Sequence, residues 1–154
     1  MPRYFFEISY KGTDFAGWQK QARESTVQGN IENALSKLCS MKQIPITGCG
    51  RTDSGVHAKK YFFHADFDEY IDESQFKYKL NLMLQNSVAI HKIFHVSDDL
   101  HARFNAKRRT YKYFIHFQKD VFKKESSWWI SQELDLELMT CLLYTSDAAD
   151  EGSS

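Results

Sequence analysis

The order of apolar patterns along the first hundred residues constrains the fold of this chain more than any other feature. Four stretches rich in aromatic and β-branched side chains predict strands, at residues 3–10, 44–49, 60–67 and 88–96. Between them, apolar residues recur at helical spacing from Val27 and again from Phe76. The resulting β-α-β-β-α-β order predicts an α+β fold of the ferredoxin-like type, with two helices on one face of an antiparallel sheet.

Local signals mark where both helices begin. Ser25 and Gln28 fit a capping box before the first helix. Asp72 and Glu73 precede the second helix, and acidic residues favour a helix N-terminus. Beyond the six predicted elements, the pattern at about Arg108–Phe117 predicts one extra strand.

Size and composition indicate one globular domain in a reducing compartment. The chain has 154 residues, of which 42% are hydrophobic, enough to form a core. Its three cysteines include no Cys-x-x-Cys pair, which argues against a disulfide framework and a zinc knuckle. We find no apolar run of membrane-spanning length and no leader pattern, so we expect a cytoplasmic protein without a membrane partner.

Residues 50–58 read Gly-Arg-Thr-Asp-Ser-Gly-Val-His-Ala and are the best candidate for a reactive site. The two glycines allow a sharp turn that would expose the carboxylate of Asp53. An ionised carboxylate can act as a nucleophile. The pattern alone also fits an ordinary turn, in which Asp53 or Ser54 caps its own backbone and Arg51 points into water.

Charge is balanced overall but unevenly distributed. Residues 101–124 carry eight basic and one acidic residue, whereas residues 125–154 carry seven acidic residues and no basic one. A basic run is often only a solvated surface. Aromatic residues interleaved with this one favour RNA, because unpaired bases need stacking partners as well as phosphate contacts.

Sequence blocks spread over residues 3 to about 139 resemble the TruA family of tRNA pseudouridine synthases. Four blocks carry the resemblance: residues 8–21, the Thr-Val-Gln at 26–28, the nonapeptide at 50–58, and residues 101–113 with His-Ala-Arg-Phe-Asn-Ala and Thr-Tyr-Lys-Tyr. The resemblance implies a tRNA substrate modified in its anticodon arm, a homodimeric full-length protein, and a reaction without metal or other cofactor.

The resemblance also assigns roles to individual residues. Asp53 would be the nucleophile, Arg51 would orient its carboxylate and contact RNA, and Tyr111 would contact the substrate base. Periodicity alone favours a different interpretation, in which Tyr111 and Tyr113 form one face of a half-buried strand, and only the resemblance reverses this for Tyr111. We expect RNA contacts from Gln19, Arg103, Lys107, Arg108, Arg109 and Lys112.

The family pattern stops at Met139, before the second half that a complete enzyme would have. We therefore expect residues 1–105 to form the ferredoxin-like catalytic subdomain and residues 106–139 to begin a second one. Residues 140–154 are small, acidic and unpatterned, and we expect them to be a non-native, disordered tail. The chain would then be a fragment, inactive by itself.

Two other interpretations use the same element order. A non-catalytic RNA-binding module of the RNA recognition motif type shares it, but residues 60–63 lack the glycines of that motif. Alternatively, the fragment folds poorly or only as a dimer, because its sheet ends in an unpaired edge. His91 and His95 lie four residues apart in a predicted strand, roughly 13 Å, too far for one metal ion.

Overall fold

The computed structural model describes residues 1–142. The chain forms two compact units, Met1–Arg109 and Thr110–Ser154. The first unit follows the predicted order of elements. These are strand β1 (Arg3–Tyr10), helix α1 (Val27–Leu38), strands β2 (Ile46–Gly48) and β3 (Ala58–Asp66), helix α2 (Glu73–Met83) and strand β4 (Val88–Val96), with a short 3₁₀ turn at Gly12–Asp14.

The four strands form one antiparallel sheet in the order β2-β3-β1-β4. Along β1, alternate side chains from Tyr4 to Tyr10 are buried, as the period of a strand requires when one face is covered. Apolar side chains of α1 and α2, including Leu35 and Leu80, fill the core against them. The ring of Phe6 stacks on that of Phe63 with centroids 4.5 Å apart. The predicted ferredoxin-like α+β fold is therefore confirmed.

The first helix begins at Val27, where the apolar pattern predicts it, but its cap lies one residue later than predicted. Thr26, not Ser25, is its N-cap, and its side chain accepts a hydrogen bond from the Gly29 amide. Gln28 therefore lies one position short of the place that a capping box requires. Its side chain reaches the carbonyl of Ile46 on β2 instead. For the second helix, the prediction is confirmed, with Asp72 as N-cap.

On the sheet face opposite the helices, residues 97–105 are tied to the strands. The guanidinium of Arg3 forms a bidentate ion pair with the carboxylate of Asp66 and also donates a hydrogen bond to the carbonyl of Leu100. His64 is only 5% exposed, and its Nδ1 atom accepts a hydrogen bond from the Ala102 amide at 3.1 Å. Burial, followed by the nearby positive charge of Arg3, lowers the pKa of His64 to about 4. His64 is therefore neutral at pH 7 and able to accept this hydrogen bond.

The edge of β4 is partly covered by two side chains of α2 that lie eight residues, or about two helical turns, apart. Asn81 bonds both the amide and the carbonyl of Ile90, at 2.8 and 2.9 Å. Glu73 accepts from the His95 amide at 3.0 Å. The β4 edge of the sheet thus has side-chain partners for several of its backbone groups, a common protection against association between sheets.

The second unit differs from the sequence prediction. Of the segment Arg108–Phe117, only Ile115–His116 (β5) forms a strand, paired in parallel with Trp128–Trp129 (β6). The Phe114 carbonyl accepts from the Trp128 amide of β6 at 2.7 Å. Within the described residues, 108–113 pair with no strand, and a strand needs such a neighbour to satisfy its backbone. Alternation of apolar and basic residues predicts that a segment prefers the strand conformation. It does not predict whether a second strand lies beside that segment.

The end of the described region is helical. Residues 136–142 form a helix, and the carboxylate of Asp135 accepts from the Leu138 amide near its start. Of the segment 140–154, for which we predict disorder, residues 143–154 lie outside the described residues. No helix in the described part of the chain is both long enough and apolar enough to cross a membrane.

Candidate active site

Asp53 lies in the loop that connects β2 to β3, and its side chain is exposed. Gly55 has φ +80°, a conformation that favours glycine, and the Val56 amide donates to the carbonyl of Asp53 at 3.2 Å. The predicted turn is thus present. Within residues 1–142 the Asp53 carboxylate makes no hydrogen bond or ion pair, so it does not cap its own backbone. The Ser54 hydroxyl donates to the carbonyl of Phe15.

The residue before Asp53 is held through both its side chain and its backbone. The hydroxyls of Tyr10 and Thr52 are hydrogen bonded at 2.8 Å, and the Thr52 carbonyl accepts from the Trp18 amide at 3.1 Å. Gly17 has φ +88°, and a Cβ atom there would lie 2.5 Å from the Thr52 carbonyl oxygen. Only glycine permits this close approach. The loop between β1 and α1 therefore fixes the position of the candidate reactive turn, residues 50–58, hereafter the reactive turn.

Further contacts hold both ends of the same turn. The Tyr61 hydroxyl donates to the Gly50 carbonyl. Burial raises the pKa of Tyr61, so its hydroxyl keeps its proton. At the other end, Nδ1 of His57 accepts from the Gly12 amide at 2.9 Å. A turn anchored at both ends positions Asp53 at little further entropic cost on substrate binding.

Sequence reasoning did not identify these anchoring residues. Tyr10 and Tyr61 occupy buried positions of β1 and β3, and their pattern in the sequence is that of ordinary core residues. No local sequence pattern indicates that a tyrosine in the core directs its hydroxyl group toward a loop.

Arg51 is exposed, and within the described residues it is not within salt-bridge distance of Asp53. The orienting role that we predict for it therefore remains a prediction. Gln19 is also exposed, on the loop that precedes α1.

Among the predicted RNA contacts, Arg109 has a structural partner. Its guanidinium donates to the carbonyl of Cys49 at 2.7 and 3.0 Å, and to the carbonyl of Arg103 at 3.1 Å. It thereby joins the segment after β4 to the start of the reactive turn. The side chains of Arg103, Lys107 and Arg108 are exposed. Sequence alone could not separate Arg109 from its neighbour Arg108, since both are arginines in one basic run.

Tyr111 and Lys112 belong to the second unit, and both are exposed. The Tyr111 side chain is 62% exposed, which does not fit a half-buried strand face. Among the described residues, no group of three or more His, Cys, Asp or Glu side chains could hold a metal ion. His91 instead pairs with the hydroxyl of Ser9 at 2.6 Å.

Comparison with known proteins gives a consistent result. Residues 8–105 match the sequence model of a family described as tRNA pseudouridine synthase. The tRNA pseudouridine synthase A of Parabacteroides distasonis is 44% identical over 140 residues, which cover 90% of this chain and 55% of the relative. The protein of the same name from Bacillus licheniformis is 41% identical over 133 residues, 84% of this chain and 54% of the relative. The chain spans about half the length of the curated relatives that it matches.

Proposed function

Because this chain belongs to the tRNA pseudouridine synthase family, we propose that it is the N-terminal half of an enzyme that converts uridine to pseudouridine in tRNA. The observation that carries the proposal is the Asp53 carboxylate on a turn anchored at both ends, which is exposed and has no hydrogen-bond or ion-pair partner within residues 1–142. Such a group is available to a substrate without first breaking a bond within the protein.

The reaction breaks the bond between N1 of uracil and the anomeric carbon of ribose, and forms a bond from that carbon to C5. The proton on C5 is released, N1 gains a proton, and the product has the formula of the substrate. Asp53 acts in one of two ways. It attacks either the ribose or the uracil and holds that fragment covalently during the exchange, or it removes a proton from the sugar. No oxidant, reductant or metal is required by this balance.

The target uridine has to leave its stack before Asp53 can reach it, which costs a few kcal/mol. Tyr111 would support the extruded base, and Arg51 would contact RNA phosphate. Exposed basic side chains would hold the backbone, which gives affinity and register without sequence information. These side chains are Arg103, Lys107, Arg108 and Lys112, with Gln19 as a further contact.

We further propose that the substrate is the anticodon arm of tRNA and that the full-length enzyme is a cytoplasmic homodimer. Its second subdomain would begin at about residue 106, and residues 140–154 would not belong to the native protein. The missing half would supply the rest of the pocket, so the fragment would be inactive alone.

The test uses residues 1–139 completed with the C-terminal half of the Parabacteroides distasonis relative. Tritium release from tRNA labelled at C5 of uracil measures turnover. We expect release by the completed protein and none by its Asp53→Asn variant. Glu69→Gln, which removes a negative charge from another exposed loop residue, is the matched control and should retain activity.

Two outcomes contradict the proposal. Equal release by the Asp53→Asn variant would remove Asp53 from the reaction. If the completed protein and the variant both bind tRNA without releasing tritium, the chain is a non-catalytic RNA-binding module instead.

A further inference from the structure

The loop that follows β4 carries two stacked rings, one of which is turned toward solvent. The rings of His101 and Phe104 stack with centroids 4.2 Å apart and an interplanar angle of 24°. The Phe104 side chain is nevertheless 78% exposed. We propose that the open face of Phe104 is a stacking site for an unpaired nucleobase of the RNA substrate. This inference rests on the proposed function and adds a site to it.

The backbone of this loop is fixed by its own hydrogen bonds. The side chain of Asn105 accepts from the His101 amide at 2.7 Å, and the Asn105 amide donates to the His101 carbonyl at 3.0 Å. Nδ1 of His101 accepts from the amides of Arg103 and Phe104, at 3.2 and 3.3 Å. The orientation of the His101 ring is therefore set by the loop that also carries Phe104.

The loop is in turn attached to the sheet. His64, buried on β3, accepts from the Ala102 amide, and its ring meets His101 edge to face at 4.7 Å. Phe104 thus stands at the outer end of a row of three rings that begins inside the protein. A ring held in this way loses little conformational freedom when a base stacks on it, which favours binding.

Charge around the ring favours nucleic acid over an apolar protein partner. Residues 101–109 contain four basic residues and no acidic one. The side chains of Arg103, Lys107 and Arg108 are exposed next to Phe104 in the sequence. Single-stranded nucleic acid is commonly bound by this combination, in which cations contact phosphates and an aromatic face receives a base.

The stacking site is linked to the reactive turn through Arg109. The Nη2 atom of Arg109 donates both to the carbonyl of Arg103, beside Phe104, and to the carbonyl of Cys49, beside Gly50. A nucleotide on Phe104 would therefore lie on the same unit as Asp53, with one guanidinium bridging the two loops. Because the proposed function assigns the target uridine to Asp53 and Tyr111, the base stacked on Phe104 would be a different base of the RNA.

The test measures tRNA affinity of the completed protein at several KCl concentrations by fluorescence anisotropy. We expect Phe104→Ala to weaken binding about 5- to 150-fold, the loss of one stacked base. The slope of log affinity against log salt should stay the same, because no cation is removed. Phe104→Trp should retain affinity. Tyr78→Ala removes an exposed aromatic ring from α2 and should have no effect.

If Phe104→Ala binds tRNA as tightly as the unaltered protein, the inference is overturned. If that variant also loses thermal stability, the Phe104 ring packs against the protein and does not bind a base. If the alanine variant does not fold, Phe104→Leu keeps the apolar volume without the aromatic face. Affinity of the leucine variant equal to that of the unaltered protein would overturn the inference as well. Tritium release is read separately. Binding that depends on Phe104 without release would refute the proposed reaction alone, and release with affinity independent of Phe104 would refute the stacking site alone.

Discussion

Acid should destabilise this fold through His64 before the partly buried Arg3–Asp66 ion pair on the same sheet face is affected. The pKa of His64 falls from 6.5 to about 4 on folding, chiefly because the ring is buried and secondly because Arg3 is near. Between these two values the unfolded chain binds a proton at this position that the folded chain does not. Stability therefore increases with pH across this window and is lost as the pH falls from 6.5 toward 4.

The size of the effect follows from the same values. A pKa difference of this size corresponds to about 3 kcal/mol, and local relaxation on protonation reduces it, so we expect roughly 1–3 kcal/mol. The ion pair behaves differently, because the hydrogen bond from Arg3 lowers the pKa of Asp66 below its usual 3.8. Its stabilising contribution is present above that ordinary value and is lost as the pH falls through the lowered one.

Urea unfolding of the 154-residue chain between pH 7.5 and 4, monitored by tryptophan fluorescence, measures the effect. In His64→Gln the side-chain oxygen can still accept from the Ala102 amide, but the group does not titrate. The free energy of unfolding of the unaltered chain should fall relative to that of the variant as the pH is lowered from 6.5. Parallel pH profiles for the two proteins, or a difference of the opposite sign, would refute the reasoning.

Two further predictions concern the turn and the sheet edge. Gly17→Ala should cost about 1–3 kcal/mol of stability, because its positive φ is strained for alanine and its Cβ would lie 2.5 Å from the Thr52 carbonyl oxygen. Chemical denaturation measures the loss, and a change below about 0.5 kcal/mol would contradict the close approach. Asn81→Ala leaves the amide and carbonyl of Ile90 without their side-chain partner, and should cost about 1–3 kcal/mol and increase aggregation measured by light scattering. Asn33→Ala, on the exposed face of α1, is the matched control, and equal effects of the two changes would contradict this prediction.

The element order could be predicted because each element buries one face, and burial imposes a period on the sequence. In β1, every second residue is buried, and the apolar residues of α1 follow the helical repeat. Outside such elements the signal weakens. Ser25 and Thr26 are both good caps, and only the packing of the helix selects the threonine. The strand predicted at Arg108–Phe117 depended on a partner that a local pattern cannot supply.

The reactive turn was predictable from its glycines and its carboxylate, whereas its supports were not. Thr52 was visible only as a neighbour of Asp53, and its bond to Tyr10 joins residues 42 positions apart. Arg109 similarly contacts Cys49 across 60 residues. Contacts of this kind depend on the tertiary structure. They produce no periodic pattern and no characteristic residue spacing in a single sequence.

The side chains that α2 extends over β4 have a consequence for assembly. A chain with a bare border strand would tend to pair with another copy of itself. Here Asn81 and Glu73 already occupy outward-facing backbone groups of that strand. Copies of this chain should therefore remain separate in solution instead of associating through β4.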